Sequence, residues 1–187
     1  MLYLIGVNHG IQRPFRYELD EFEYYSDEEK KIFFGYIENQ VAKLNNISFI
    51  AEEFSEDAKK HKLPKFSINF TLLENLTKNI ELEHIFIDPS IEERKIIGIP
   101  SREEIKITLD IRGVVYKDSA EDNQIKEEQR KYDPIRENFW VYKIKPKLNN
   151  NENGLVIIGS DHIKTFPILL ESKNIHNKII EKSWHYL

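Results

Sequence analysis

Two stretches of this chain nearly repeat one another, and together they restrict the fold more than any other feature. Met1-Leu-Tyr-Leu-Ile-Gly-Val-Asn-His9 stands at one end of the sequence and Gly154-Leu-Val-Ile-Ile-Gly-Ser-Asp-His162 near the other. Each is a short apolar run followed by Gly-x-x-His. An unbroken apolar run of this kind predicts a strand buried on both faces, as found inside a parallel sheet. Gly6 and Gly159 then permit a sharp turn or a close backbone approach where the strand leaves the sheet. His9 and His162 fall just past the carboxyl ends of these strands, which is the edge where open α/β sheets bind ligands.

Between the two runs the pattern alternates. Ile47 to Glu52 and His84 to Ile87 are predicted strands, and Asn177 to Lys182 is the predicted last strand; all are separated by helical spacings. Ser26 with Glu29 three residues on marks a capped helix start, followed by Phe33, Ile37, Gln40, Val41 and Leu44 at helical period. A short helix is expected around Ser55 to Lys60 and another over Ile68 to Asn79. Residues 90–148 read as mostly helix, with Asp133-Pro134 as a start signal and the polar stretch Asp118 to Lys131 as a loop or solvated helix. From about Ile163 a further helix carries Phe166, Ile168, Leu169 and Leu170. The expectation is an α/β fold: a central, mostly parallel sheet of about five strands covered by helices on both faces, with a helical insertion in the second half. At 187 residues the chain is one domain's worth, residues 1–187.

If the strands run parallel, the residues at their carboxyl ends converge. Those are His9, Glu52 and Glu53 after the second strand, Asp88 after the third, and Asp161 and His162 after the Gly154 run. Two imidazoles and a carboxylate suit Zn, Mn, Fe or Co, and two His with one Glu is a hydrolytic zinc set. There are no cysteines, so disulfides and thiolate sites are excluded. A metal would be held by His9, Glu52, His162 and Asp161, with Glu53 the alternative carboxylate. It would polarise an acyl or phosphoryl oxygen and lower the pKa of its bound water. Asp161 could equally cap the following helix, and Asp88 could cap the helix that begins after it. Arg136, in Arg-Glu-Asn-Phe-Trp, is placed to clamp an anionic substrate group. His61, His84, His176 and His185 have no comparable setting. The aromatic loop from Asn8 to Tyr25, with Phe15, Tyr17, Phe22, Tyr24 and Tyr25, could roof a pocket.

The paired Gly-x-x-His motifs, the strand ending in Glu52-Glu53 and the Ile-Ile-Gly-Ser-Asp-His-Ile-Lys-Thr-Phe-Pro segment together resemble the Tiki/TraB superfamily, itself distantly similar to the erythromycin esterase and ChaN-like families. The resemblance covers about a third of the chain. It implies a pocket lined by Gly6, His9, Glu52 or Glu53, Gly159 and His162, with Arg136 matching that group's Arg/Asn helix motif loosely. In Tiki-type members it implies divalent-metal-dependent peptide hydrolysis. The expected function is therefore a metal-dependent hydrolase acting on a peptide, ester or phosphoester bond of a peptide or small-molecule substrate. A ligand-binding module holding haem, a nucleotide or a small regulatory molecule is the alternative, as is a protein-interaction module. A net charge of −5 argues against a generic nucleic-acid binder, and no apolar run reaches the roughly 18 to 20 residues of a membrane span. With no basic leader before the first strand, the expected setting is cytoplasmic. A homo-oligomer is left open.

Overall fold

The computed structural model describes residues 1–12, 25–44, 46–62, 70–114, 120–148 and 152–184. Its centre is a sheet of five parallel strands: β1 (Leu2–Val7), β2 (Ile47–Glu52), β3 (Glu83–Phe86), β4 (Asn153–Gly159) and β5 (Asn177–Trp184), in the order β3-β2-β4-β1-β5. The two motif strands are neighbours, with Gly6 beside Ile158 and Val7 beside Gly159. As internal strands flanked on both edges, β1 and β4 need apolar residues on both faces, which accounts for their unbroken apolar runs.

Alternation along these strands divides the core in two. Leu2, Leu4, Phe49, Ala51, Val156 and Ile158 face one side, against Trp140, Val141 and Ile144 of α8 (Asp133–Leu148) and Phe166 and Leu170 of α9 (Phe166–Ser172). Ile5, Val7, Ile50, Leu155 and Ile157 face the other, against Phe33 and Ile37 of α2 (Asp27–Lys43) and Leu73 and Leu76 of α4 (Leu72–Asn79). Each such buried Leu, Ile, Val or Phe side chain contributes about 1.5–3 kcal/mol relative to exposure.

After β1 the chain passes through the four-residue α1 (His9–Gln12) and then α2 to reach β2 across β4. After β4 it passes through a 3-10 turn (Ser160–Lys164) and α9 on the opposite face to reach β5 across β1. The connections thus leave two adjacent strands in opposite senses, a topological switch point at the carboxyl ends of β1 and β4, the position at which open α/β sheets bind ligands.

Helix starts follow the capping chemistry closely. Ser26 caps α2 in a reciprocal box with Glu29, and Thr71, Ser90 and Ser101 do the same for α4, α5 (Ile91–Ile96) and α6 (Arg102–Ile111). Thr71 explains why α4 begins at Leu72, inside the longer helix expected from Ile68. The polar stretch after Asp118 is helical as α7 (Ala120–Arg130), preceded in the chain by α3 (Glu56–Lys62) and α5–α6. Ile125 of α7 packs with Ile105 and Leu109 of α6 in a small separate cluster. In α8 the buried stripe is Glu137, Trp140, Val141 and Ile144, while Tyr142 is 72% exposed. The aromatic loop's Phe15, Tyr17, Phe22 and Tyr24, and His185, lie outside the described residues, whereas Tyr25 is buried against α2's side of the sheet. Among the described residues no helix is long and apolar enough to cross a membrane.

Candidate functional site

Glu52 and Glu53 are adjacent, so strand alternation sends them to opposite faces. Glu52 follows Ile50 toward the α4 side, where its Oε1 accepts the Thr71 hydroxyl at 2.6 Å and lies 3.1 Å from His84 Nε2. Glu53 turns toward α8. Its Oε2 accepts the Gly159 backbone N–H at 2.7 Å and its Oε1 accepts from Arg136 Nη2 at 2.7 Å. The open choice between the two carboxylates is thereby decided: Glu53 stands with His162, and Glu52 does not.

Arg136 is the hub of the network. Its Nε and Nη2 donate to Asp88 Oδ1 at 3.1 and 2.8 Å, Nη2 also to Glu53, and Nη1 reaches Asp133 Oδ1 at 3.4 Å. Asp88 in turn accepts from Arg94 Nη2 through its other oxygen, Oδ2, at 2.5 Å, while Oδ1 also accepts from the Trp140 indole N–H at 3.4 Å. Burial alone would push the Asp88 carboxyl up, but the Arg136 and Arg94 guanidiniums hold it below its ordinary value. Burial likewise opposes the Arg136 charge, and Asp88 and Glu53 more than restore it. The expected clamp on an anionic substrate is therefore corrected: the fork of Arg136 is already occupied by three protein carboxylates. The cap role open to Asp88 falls to Ser90, and Asp88 instead joins α5 to α8 through these two guanidiniums.

His162 sits in the 3-10 turn after β4, buried against the Trp140 ring at a centroid distance of 4.7 Å. Its Nδ1 is 2.9 Å from Glu137 Oε1, which also accepts the Thr165 hydroxyl at 2.5 Å. Its Nε2 is 3.5 Å from Glu53 Oε1, longer than a good hydrogen bond. Burial works against the imidazolium, yet the Glu137 bond and the Glu53 charge outweigh it and raise the His162 pKa. Asp133, at the start of α8, has its pKa raised, chiefly by burial and further by Glu53 and Glu137, against the pull of His162 and Arg136. Glu137 is the member that sequence reasoning missed. Its signal was a carboxylate set on the stripe 137, 140, 141, 144, which is otherwise apolar.

The backbone of His9 opens α1 two residues past Val7, next to the β4 end, while its side chain lies outside the described residues. Gly6 has the close backbone approach expected of it: a Cβ there would stand 2.1 Å from the Lys182 carbonyl oxygen and 2.6 Å from Ile163 Cγ1. Gly159 has an ordinary φ of −56°, and it contributes through its N–H to Glu53. Of the other histidines, His84 belongs to the Glu52 cluster, the His176 carbonyl accepts the Leu2 N–H, and the His61 side chain is outside the described set.

Of the expected metal ligands, Glu52, Asp161 and His162 are not brought together, and the His9 side chain lies outside the described residues. Glu52 is on the far face of the sheet, and Asp161 is 69% exposed and paired with Arg130 at 2.8 Å. Glu53, the alternative, spends one oxygen on Arg136 and the other on Gly159 N–H. Among the described residues no group of three or more His, Asp or Glu side chains is arranged to hold a metal ion. The donors described do not fit a three-ligand centre. Set beside protein-family models, curated proteins and solved structures, the chain matches none.

Proposed function

We propose that the chain is a hydrolase that cleaves a peptide, ester or phosphoester bond at the carboxyl edge of its sheet, with His162 as the group that activates water. The observation that carries this reading is the orientation of the buried imidazole: Nδ1 tied to Glu137 at 2.9 Å, Nε2 turned toward the strand ends. With Nδ1–H given to a carboxylate, neutral His162 presents the Nε2 lone pair, and Glu137 then stabilises the imidazolium that forms when a proton is taken. General-base assistance of this kind contributes about 10²–10⁴-fold. A raised His162 pKa means that activity climbs as pH rises through that raised value. Glu53, held by Arg136 and Gly159, faces the same nitrogen and supports its charge. A Tiki/TraB-like assignment is supported by the adjacency of β1 and β4 and by the meeting of Glu53, Arg136 and His162 beside them.

Purified protein would be assayed on activated ester, peptide and phosphoester probes across pH. Turnover is expected on at least one, falling about 10²-fold or more in His162→Gln and sharply in Glu53→Gln. Glu52→Gln, on the other face, is expected to remain close to wild type. Equal losses in the two glutamate variants, or full activity in His162→Gln, would sink the reading. No turnover on any probe would favour the ligand-binding module instead. Elemental analysis, with rates before and after a chelator, separately tests the metal dependence that the resemblance implies.

A further inference from the structure

Ser26, Thr71, Ser90 and Ser101 each stand in extended backbone before a helix and accept the N–H three residues on with their hydroxyls. Thr165 holds the same position before α9 and makes no such bond. Its backbone is bent instead, at φ −109° and ψ −43°, and Pro167 in the first turn has no N–H to give. The Thr165 hydroxyl donates to Glu137 Oε1 at 2.5 Å. Its only other hydrogen-bond contact among the described residues is the His162 carbonyl, at 3.5 Å. Thr71 also donates to a buried glutamate, Glu52, at 2.6 Å, but the same oxygen caps α4. The Thr165 hydroxyl caps nothing, so the stability of α9 does not account for it.

The turn after β4 explains how the bond arises. Side chains three apart eclipse in a 3-10 turn. His162 and Thr165 are such a pair, with the Thr165 N–H donating to the His162 carbonyl at 3.2 Å. The turn therefore brings Nδ1 and the hydroxyl to one oxygen of Glu137, at 2.9 and 2.5 Å. Accepting from both, that oxygen puts the proton of the neutral ring on Nδ1 and leaves Nε2 bare. A second carboxylate competes for that proton: Glu53 Oε1 faces Nε2 at 3.5 Å. Glu53 is the weaker claimant, being farther away and already bonded to Arg136 at 2.7 Å. The preference for Nδ1 thus depends on Glu137 Oε1 keeping its place. Among the described residues, Thr165 is the donor other than the imidazole that holds it there.

We propose that Thr165 is a positioning residue: by fixing Glu137 Oε1 with its hydroxyl, it keeps the proton of neutral His162 on Nδ1 and leaves Nε2 free to take a proton from water. The proposal rests on the hydrolysis reading above. Thr165 touches neither the attacking water nor the substrate and acts only through Glu137 and the imidazole. Without its hydroxyl the Glu137 carboxylate can turn away, the claim of Glu53 on the proton grows, and a ring protonated at Nε2 has no lone pair facing the strand ends.

The test compares wild type with Thr165→Val, which keeps the shape and loses the donor, and Thr165→Ser, which keeps the donor. Nitrogen NMR of the imidazole distinguishes a protonated ring nitrogen from a bare one. With His162 neutral, wild type and Thr165→Ser should carry the proton on Nδ1, and Thr165→Val should carry a larger share on Nε2. A merely structural role would leave that distribution in place. Turnover is followed on p-nitrophenyl butyrate, an alanyl p-nitroanilide peptide and bis(p-nitrophenyl) phosphate. On whichever probe wild type cleaves fastest, kcat should fall about 10-fold in Thr165→Val with KM unchanged, and recover in Thr165→Ser. That is the low end of what a hydrogen bond to a charged group is worth, as suits an exposed threonine. Thr165→Ala repeats the comparison if the valine variant does not fold. An unmoved proton distribution, a full-rate Thr165→Val, or a serine variant that restores neither overturns the positioning role while hydrolysis stands. Wild type inert on all three probes overturns the hydrolysis reading, and the positioning role falls with it.

Discussion

Arg136→Met would keep most of the aliphatic stem and delete the guanidinium that ties together Glu53, Asp88 and Asp133. Removing one partner of a buried ion pair costs about 3–5 kcal/mol, because the remaining charge stays buried without compensation. Here two nearly inaccessible carboxylates lose their cation at once, which argues for the upper part of that range. Two effects limit it: Asp88 keeps Arg94 on its other oxygen, and a stranded carboxylate can take up a proton. About 4 kcal/mol is a large share of the roughly 5–15 kcal/mol that holds a domain folded. At about 2–4 °C per kcal/mol for a chain of this size, Tm should fall by about 8–16 °C at pH 7. The pH dependence distinguishes this from simple loss of packing. In the native protein Asp88 has a depressed pKa, so its contribution is present above its ordinary value and is lost as pH falls through the depressed one. In the variant that depression shrinks, and protonation relieves the stranded acids earlier. The stability gap between the two proteins should therefore narrow as pH falls from 7 toward about 4. Urea unfolding followed by circular dichroism at several pH values measures it. A gap under about 1 kcal/mol, or one that does not vary with pH, would refute the account of Arg136 as a buried counter-charge.

Glu137→Gln should lower the His162 pKa toward or below its ordinary 6.5, since burial and the Arg136 charge would then be opposed by the more distant Glu53 and Asp133 charges alone; NMR titration of the imidazole reads this directly. Because the native His162 pKa is raised, its contribution to stability is complete below the ordinary value and fades as pH rises through the raised one. The stability difference between wild type and Glu137→Gln should accordingly shrink with rising pH. Two glycine substitutions should move in opposite directions in thermal unfolding. Gly6→Ala forces a methyl onto the Lys182 carbonyl and should cost at least the roughly 1–3 kcal/mol of an overpacked core. Gly35→Ala, mid-way along α2 with nothing within 4 Å of a new Cβ, should gain about 0.5–1 kcal/mol.

The local elements of this protein were legible in its sequence because the interactions that set them span only a few residues. Ser26 with Glu29 fixes where α2 starts, the unbroken apolar runs of β1 and β4 mark strands buried on two faces, and their direction puts His162 and the Glu52-Glu53 pair at one edge. The composition of the site was not legible. Which of two adjacent glutamates meets His162, whether Arg136 is open to a substrate, and whether Asp161 points inward all depend on partners far apart in the chain. Glu53 meets Arg136 across 83 residues and Gly159 across 106, and Glu137 reaches His162 across 25. Local sequence sets which face a side chain occupies, while the charge that waits there comes from another element. Burial makes the difference decisive: in a dry cluster each carboxylate must find its cation or donor. Only the packing of α8 against the sheet determined that Arg136 would serve Glu53, Asp88 and Asp133, and that Glu137 would hold His162.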